Sequence, residues 1–283
     1  MTMADSDAPL ADLPRSSDGL ATTDDALARL RERLPRFLEE RVADAGADRL
    51  VVSLDGGVET ALAATFAVEA VGQDRVTGLV MPAFLSHEAV SRNAEAIATA
   101  LGIEHRRMQL QPVLAAFQET VGGSDGPADD LVATNNALSR LRMACAYYVA
   151  NTTNALVVGT VNRTQSLLGS VTKHGETGAD CLLFGDLYRT EVEALARAVG
   201  IPEELTVETS GSPLHPGESP ATELDVDPET VDRILRCRID EGVDAAVVAE
   251  RAGVDVKLIE RLETWSERTS HKRCRPVRPS TGA

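Results

Sequence analysis

The sequence predicts an α/β fold, an open parallel sheet with helices on both faces. Three observations carry that expectation. Short apolar runs such as Leu50-Val51-Val52-Ser53-Leu54 and Ala155-Leu156-Val157-Val158-Gly159 have the length and content of buried strands. Stretches with apolar residues at helical spacing separate these runs. Alternation of the two kinds at this spacing implies parallel strands joined by helical crossovers.

The elements follow in order. Asp25 to Ala45 places Leu27, Leu30, Leu34 and Leu38 on one helical face, with Pro35 as a point of kinking. Leu50 to Leu54 is a strand, Asp55-Gly56-Gly57 a turn and Val58 to Val71 an apolar helix. Val76 to Met81 is the second strand, His87 to Leu101 a helix, and Ile103 to Leu110 a partly alternating third strand. A long helix from Leu131 to Asn151 precedes the fourth strand, Ala155 to Gly159. Gly169 to Gly185, rich in Gly and Thr with little periodicity, reads as a functional loop. Leu187 to Val199 is a helix stopped by Gly200, and Thr206 to Glu223 is a second loop. Three short helices follow: Pro228 to Asp240, Asp244 to Ala252 and Val256 to Thr269. Residues 1–24 read as a disordered acidic leader, 25–269 as one domain, and 270–283 as a basic, Pro-rich tail.

Composition narrows the function classes. The 283 residues carry a net charge of −16, and only Lys173, Lys257 and Lys272 among the 28 basic residues are lysines. An acidic surface argues against nonspecific nucleic-acid binding. High acid with little Lys fits a salt-rich cytoplasm, where screening relieves self-repulsion; a high-GC genome favouring Arg codons is the bland alternative. Cys145, Cys181, Cys237 and Cys274 form neither a zinc pattern nor a disulfide framework, and reduced cytoplasmic thiols fit them. No apolar run approaches a membrane span, and the first residues lack the regions of a secretory signal.

Two segments carry chemistry. Asp55-Gly56-Gly57-Val58-Glu59-Thr60 joins a buried strand to a helix, so backbone N–H groups at the helix start face a ligand beyond the strand's carboxyl end. A plain βα turn explains two glycines equally well. The stretch Gly159-Thr160-Val161-Asn162-Arg163-Thr164-Gln165-Ser166-Leu167-Leu168-Gly169, leading into Thr172-Lys173-His174-Gly175-Glu176-Thr177-Gly178-Ala179-Asp180 and then Gly185-Asp186-Leu187-Tyr188-Arg189-Thr190, is more specific. A Lys in this loop, in a chain that otherwise uses Arg, suits a compact point charge.

These residues resemble the NAD+ synthetase pattern G-T-G-N-R-[ST]-E-L-L-L-G-x-x-T-K-Y-G-D-G-G-[AV]-D followed by G-D-L-Y-K-T-x-V. The Gly-Gly turn is similar to that family's S-G-G-x-D-S loop. Asn136 to Met143 resembles N-I-Q-A-R-x-R-M, and Ser270-His271-Lys272-Arg273 resembles its terminal signature. The resemblance implies the Rossmann-like fold of the N-type ATP pyrophosphatases and an ATP- and Mg2+-dependent amidation of deamido-NAD with ammonia. It implies a homodimer whose interface includes the helix around Asn136 to Met143, with Leu138, Leu141, Ala144 and Tyr148 available to it; core packing would explain those residues as well. By position, Ser53, Asp55, Gly56, Gly57, Glu59, Thr60, Thr160, Arg189 and Ser210 would meet ATP. Arg140, Lys173, Asp180, His271 and Lys272 would meet deamido-NAD.

The pattern also departs. Asp55 stands for a Ser, putting an acceptor-only anion where phosphate is expected. Two unit charges about 4 Å apart at an effective dielectric near 20 repel by about 4 kcal/mol. Gln165 stands for a metal-binding Glu, so Glu59, Gln165 and Asp55 are the candidate Mg2+ ligands. Two readings follow: an active synthetase with a rearranged metal site, or a paralogue with impaired chemistry and a nucleotide-binding or structural role. A third comes from Asp244 to Trp265, which resembles a DNA-binding helix-turn-helix, but its second helix balances Lys257 and Arg261 against Glu260 and Glu263.

Overall fold

The computed structural model describes residues 10, 12–84, 88–122, 130–202, 226–276 and 279. Five strands form one sheet: β1 (Arg49–Leu54), β2 (Val76–Val80), β3 (Glu104–Arg107), β4 (Ala155–Gly159) and β5 (Cys181–Leu182). Their order is β3-β2-β1-β4-β5, and every adjacent pair is parallel. All of β2 is buried, whereas the edge strand β3 is exposed at every residue. Glu104, Arg106 and Arg107 keep that open edge charged.

Ten α-helices lie among the described residues: α1 (Asp24–Ala45), α2 (Val58–Val71), α3 (Glu88–Ala100), α4 (Gln111–Gly122), α5 (Leu131–Thr153), α6 (Arg163–Leu168), α7 (Arg189–Val199), α8 (Pro228–Leu235), α9 (Ala245–Ala252) and α10 (Val256–Thr269). Strand residues of opposite parity point to opposite faces. Leu50, Val52 and Leu54 of β1 join α1, α2, α3 and α7 in one core. Val51 of β1, with Leu79 and Val157, meets α5 on the other face. A separate core gathers Leu167, Leu168 and Tyr188 with α8, α9 and α10. The helical pair resembling a DNA reader buries Val248, Ala249, Ile259 and Leu262 in this core.

Three expectations change. Within the supposed leader, much of residues 13–22 is buried or half-buried. Leu20 is 0% exposed and belongs to the C-terminal core, and Leu13 and Ala21 are buried too. The Ala21 N–H donates to Glu191 Oε1 at 2.6 Å, and Arg33 pairs with Asp12 at 2.6 Å. Composition averaged over the segment concealed the few apolar residues that fill a seam. The third strand is shortened to four residues, and Gln111 onward is helix α4. Val113, Phe117 and Val121 repeat there every four residues, a helical signal that lies just beyond the segment expected as strand. The supposed loop from Gly169 contains β5, whose two residues are too short for any period to reveal.

Smaller differences concern boundaries. Helix α1 runs on through Pro35. Helix α8 ends at Leu235 and passes into a π-turn over Arg236–Asp240. The expected loop Thr206 to Glu223, His87 and Ser210 lie outside the described residues.

Candidate functional site

Chain direction makes a crevice between β1 and β4. From β1 the chain crosses to β2 on one side, and from β4 it crosses to β5 on the other. Such a switch point leaves space beyond the strands' carboxyl ends, the usual ligand position in open α/β sheets. The segments leading into α2 and α6 both lie there.

The turn into α2 is tightly built. Gly56 has φ +81°, and a Cβ there would lie 2.7 Å from the carbonyl oxygen of Val90 on α3, so only glycine fits. Asp55 Oδ1 accepts the Gly57 N–H at 2.9 Å and lies 2.8 Å from the Thr60 hydroxyl. The acid thus occupies two donors that a bound anion would use. Ser53 lies half-buried in β1 just before this turn, and Thr160 lies half-buried just after β4.

One contact joins the starts of α2 and α6: Asn162 Nδ2 donates to Glu59 Oε1 at 3.2 Å. Burial pushes the Glu59 carboxyl above its usual range; its own backbone N–H opposes this, the Asp55 charge adds to it, and Arg189 counters it. Asn162 is fully buried and caps α6. Its Oδ1 accepts the Gln165 N–H at 2.9 Å, while Gln165 Oε1 accepts the Asn162 N–H at 3.0 Å. The side-chain oxygen expected to ligate metal is therefore engaged as a helix cap. Among the described residues, no group of three or more His, Cys, Asp or Glu side chains converges to hold a metal ion.

Arg189 begins α7, and its Nε donates to Glu193 Oε1 at 2.6 Å. A buried acid outside the sequence-based candidates fixes this helix start. Asp232 on α8, 0% exposed, accepts the Thr164 hydroxyl at 2.6 Å and both the N–H and hydroxyl of Thr190, at 2.8 and 2.7 Å. Thr164 Oγ1 in turn accepts the Arg189 N–H at 2.9 Å. Burial raises the Asp232 carboxyl from 3.8 to about 6 despite these donors. Its one sequence signal is an acid in an otherwise apolar stripe with Val231, Ile234 and Leu235.

The expected substrate residues form a second group. Arg140 Nε on α5 donates to the Lys173 carbonyl at 3.2 Å, and Thr172 Oγ1 donates to Asn136 Oδ1 at 2.7 Å. Lys173 Nζ donates to the His271 carbonyl, and Lys272 Nζ to the Gly169 carbonyl, both at 2.6 Å. The structure thus connects Arg140, Lys173, His271 and Lys272 through one loop. Arg273 secures the chain after α10 by donating to Ser166 and Leu167 carbonyls at the end of α6. The segment after Thr269 is therefore docked, at least through Arg273.

Asp180 ends the same loop but is held by protein groups. Its Oδ2 accepts the Val157 N–H at 2.7 Å and its Oδ1 accepts the Tyr147 hydroxyl at 3.1 Å. Burial, with the Asp180 charge, pushes the Tyr147 phenol up to about 12. Arg142, absent from the sequence-based candidates, reaches from α5 to the Met81 carbonyl through Nε at 3.2 Å.

Comparison with known proteins agrees with this arrangement. A family model described as NAD synthase matches residues 30–276. The NH(3)-dependent NAD(+) synthetase of Halobacterium salinarum is 34% identical over 253 residues, covering 89% of this chain and 93% of that protein. The protein of the same name from Methanosarcina mazei is 35% identical over 254 residues, covering 89% and 98%. Among solved structures, the NMN synthetase of Francisella tularensis superposes with a TM-score of 0.75 at 26% identity, covering 89% of this chain and 98% of that one. An NH3-dependent NAD synthetase from Campylobacter jejuni, at 24% identity, TM-score 0.74 and coverage of 90% and 99%, shows the same fold. A match over most of the sequence, relatives of this identity and a site at the sheet's switch point agree: the chain belongs to the NAD synthase family of enzymes.

Proposed function

We propose that the protein is an ammonia-dependent NAD+ synthetase, converting deamido-NAD, ATP and ammonia to NAD+, AMP and pyrophosphate. The observation that carries this reading is the Glu59–Asn162 contact, which joins the starts of α2 and α6 at the switch point of a family sheet. ATP would lie over the turn from Ser53 to Thr60, with Thr160 and Arg189 beside it and Ser210 completing the set. Deamido-NAD would lie along Arg140, Lys173, Asp180, His271 and Lys272.

The chemistry needs positioning more than a nucleophilic side chain. The nicotinate carboxylate oxygen attacks the α-phosphorus, and pyrophosphate leaves with the bonding pair. Ammonia then attacks the acyl carbon, loses a proton, and AMP leaves. Arg189 supplies positive charge for the leaving pyrophosphate, and the Gly57 N–H and Thr60 hydroxyl would serve it once Asp55 turns from them to a cation. Glu59 and Asp55 fit a divalent cation, since the Asp55 charge adds to the cost of ionising Glu59. With nucleotide phosphates as further ligands, Mg2+ would supply charge neutralisation there.

The assembly favoured is a homodimer through α4 and α5. Val113, Phe117 and Val121 on α4 and Tyr148 on α5 are exposed, Val121 at 68% and Tyr148 at 73%. Leu138, offered by the sequence for this surface, instead packs into the sheet core. Reduced thiols and a cytoplasmic location complete the reading; among the described residues no helix is long and apolar enough to cross a membrane.

Incubating the protein with deamido-NAD, ATP, Mg2+ and ammonia in molar KCl tests it, following NAD+. Steady NAD+ formation supports the synthetase. The likeness to an NMN synthetase makes nicotinate mononucleotide the comparison substrate, and preference for it would replace deamido-NAD in the reading. ATP binding with no turnover on either substrate supports the impaired paralogue, which the Asp55 contacts favour.

A further inference from the structure

Arg142 is a half-buried cation to which none of the interactions above gives a counter-ion. It sits on α5, and its Nε is anchored to the carbonyl of Met81, immediately after β2. That anchor holds the guanidinium at the carboxyl edge of the sheet. The acids whose charge reaches it are Asp55, on the turn into α2, and Glu176, on the loop that carries Lys173. Its charge therefore bears on both the 55–60 turn and the loop of Lys173. Among the described residues, no carboxylate lies within the 4.0 Å of an ion pair with it.

Several other half-buried arginines among the described residues are matched. Arg163 pairs with Asp240, Arg189 with Glu193 and Arg238 with Glu263, while Arg273 donates to carbonyls at helix ends. A cation withdrawn from water without a partner is unfavourable, and a ligand anion removes that penalty. Arginine's planar fork also suits phosphate oxygens taken two at a time. The Asp55 carboxylate already occupies the Gly57 N–H and lies against the Thr60 hydroxyl, so the turn itself offers an arriving phosphate little positive field. A cation facing Asp55 from α5 restores it.

We infer that Arg142 is a phosphate-binding residue, holding the phosphoanhydride of the nucleotide over the 55–60 turn and offsetting the Asp55 charge there. This rests on the nucleotide-binding reading above. Arg142 touches the ligand in this proposal, while its Nε–Met81 bond keeps the fork in place before the ligand arrives. Arg142 gives the unliganded protein one bond, to the Met81 carbonyl, and no ion pair, so removing it harms binding more than folding.

The test compares the full chain with Arg142→Met and Arg142→Lys in the same KCl buffer. Inorganic pyrophosphate, Mg2+-free ATP and deamido-NAD are titrated separately by calorimetry, and melting temperatures are recorded. Arg142→Met is expected to bind pyrophosphate and ATP about tenfold to a hundredfold more weakly, the loss of a charge-assisted hydrogen-bond pair. Arg142→Lys should fall between, deamido-NAD affinity should hold, and neither variant should melt far below the parent. Arg142→Lys keeps the charge and serves as the folded variant if Arg142→Met fails. Unchanged pyrophosphate affinity in the folded variants overturns the inference, whether or not deamido-NAD affinity moves. A parent that binds deamido-NAD but neither ATP nor pyrophosphate overturns the nucleotide reading itself, and this inference with it.

Discussion

The carboxylate of Asp55 lies 2.8 Å from the hydroxyl of Thr60, five residues on, and the contact closes the turn into α2 upon itself. The same oxygen takes the Gly57 N–H, so an internal anion sits where an external one is expected.

Asp55→Ser should therefore strengthen binding of metal-free ATP by about tenfold, through relief of like-charge repulsion. With Mg2+ present the change should reverse, because a carboxylate ligand is lost. Adding Gln165→Glu should restore ATP–Mg2+ binding, since Glu also satisfies the α6 capping box. ATP titrations of the parent, both single variants and the double variant, with and without Mg2+, give the coupling directly. Tighter ATP–Mg2+ binding by Asp55→Ser alone would exclude Asp55 as a ligand.

Leu20 tests the N-terminal segment. It is fully buried in the core that α6 shares with the C-terminal helices, so Leu20→Ala should cost about 2–5 kcal/mol in urea unfolding. Removing residues up to Thr22 should cost at least as much, since the Ala21 bond to Glu191 goes too. A truncated chain as stable as the parent would mean that this packing contributes nothing.

Asp232 gives the protein a pH dependence of definite sign. Its folded pKa is raised from 3.8 to about 6 by burial, so between these values the folded state binds the extra proton. This contribution makes stability fall as pH rises from about 4 to about 6, by at most roughly 3 kcal/mol, and stay flat above. Asp232→Asn should flatten that slope. The Arg189 backbone hangs on Asp232 through Thr164, so the variant should also raise KM for ATP more than it lowers kcat. An unchanged pH profile of unfolding would show that Asp232 titrates normally.

Salt tests the meaning of the charge. Forty-four acids against 28 bases repel at low ionic strength, so the melting temperature should climb as KCl is raised into the molar range. A flat or falling curve would leave codon bias as the explanation of the scarce lysines.

The sequence by itself determined the layered α/β fold, because strands and helices near the sheet repeat their apolar residues with periods set by local geometry. Val51 and Val52 point to opposite faces for that reason alone. It also determined the family and the loops proposed for the site, since Gly56 and the Thr172–Asp180 stretch answer local backbone demands. Asp55 and Gln165 turn their oxygens to N–H groups two and three residues away, supplied by the turn and the helix start themselves. What Asp180 does was left to tertiary structure, since its partner is the N–H of Val157 on β4. Asp232 and Leu20 show the same limit. Their neighbours lie 68 residues away at Thr164 and in the core from Leu167 onward, and no period along the chain encodes a contact of that separation. Burial decided whether each would be a surface group or part of the framework, and burial is a property of the assembled layers.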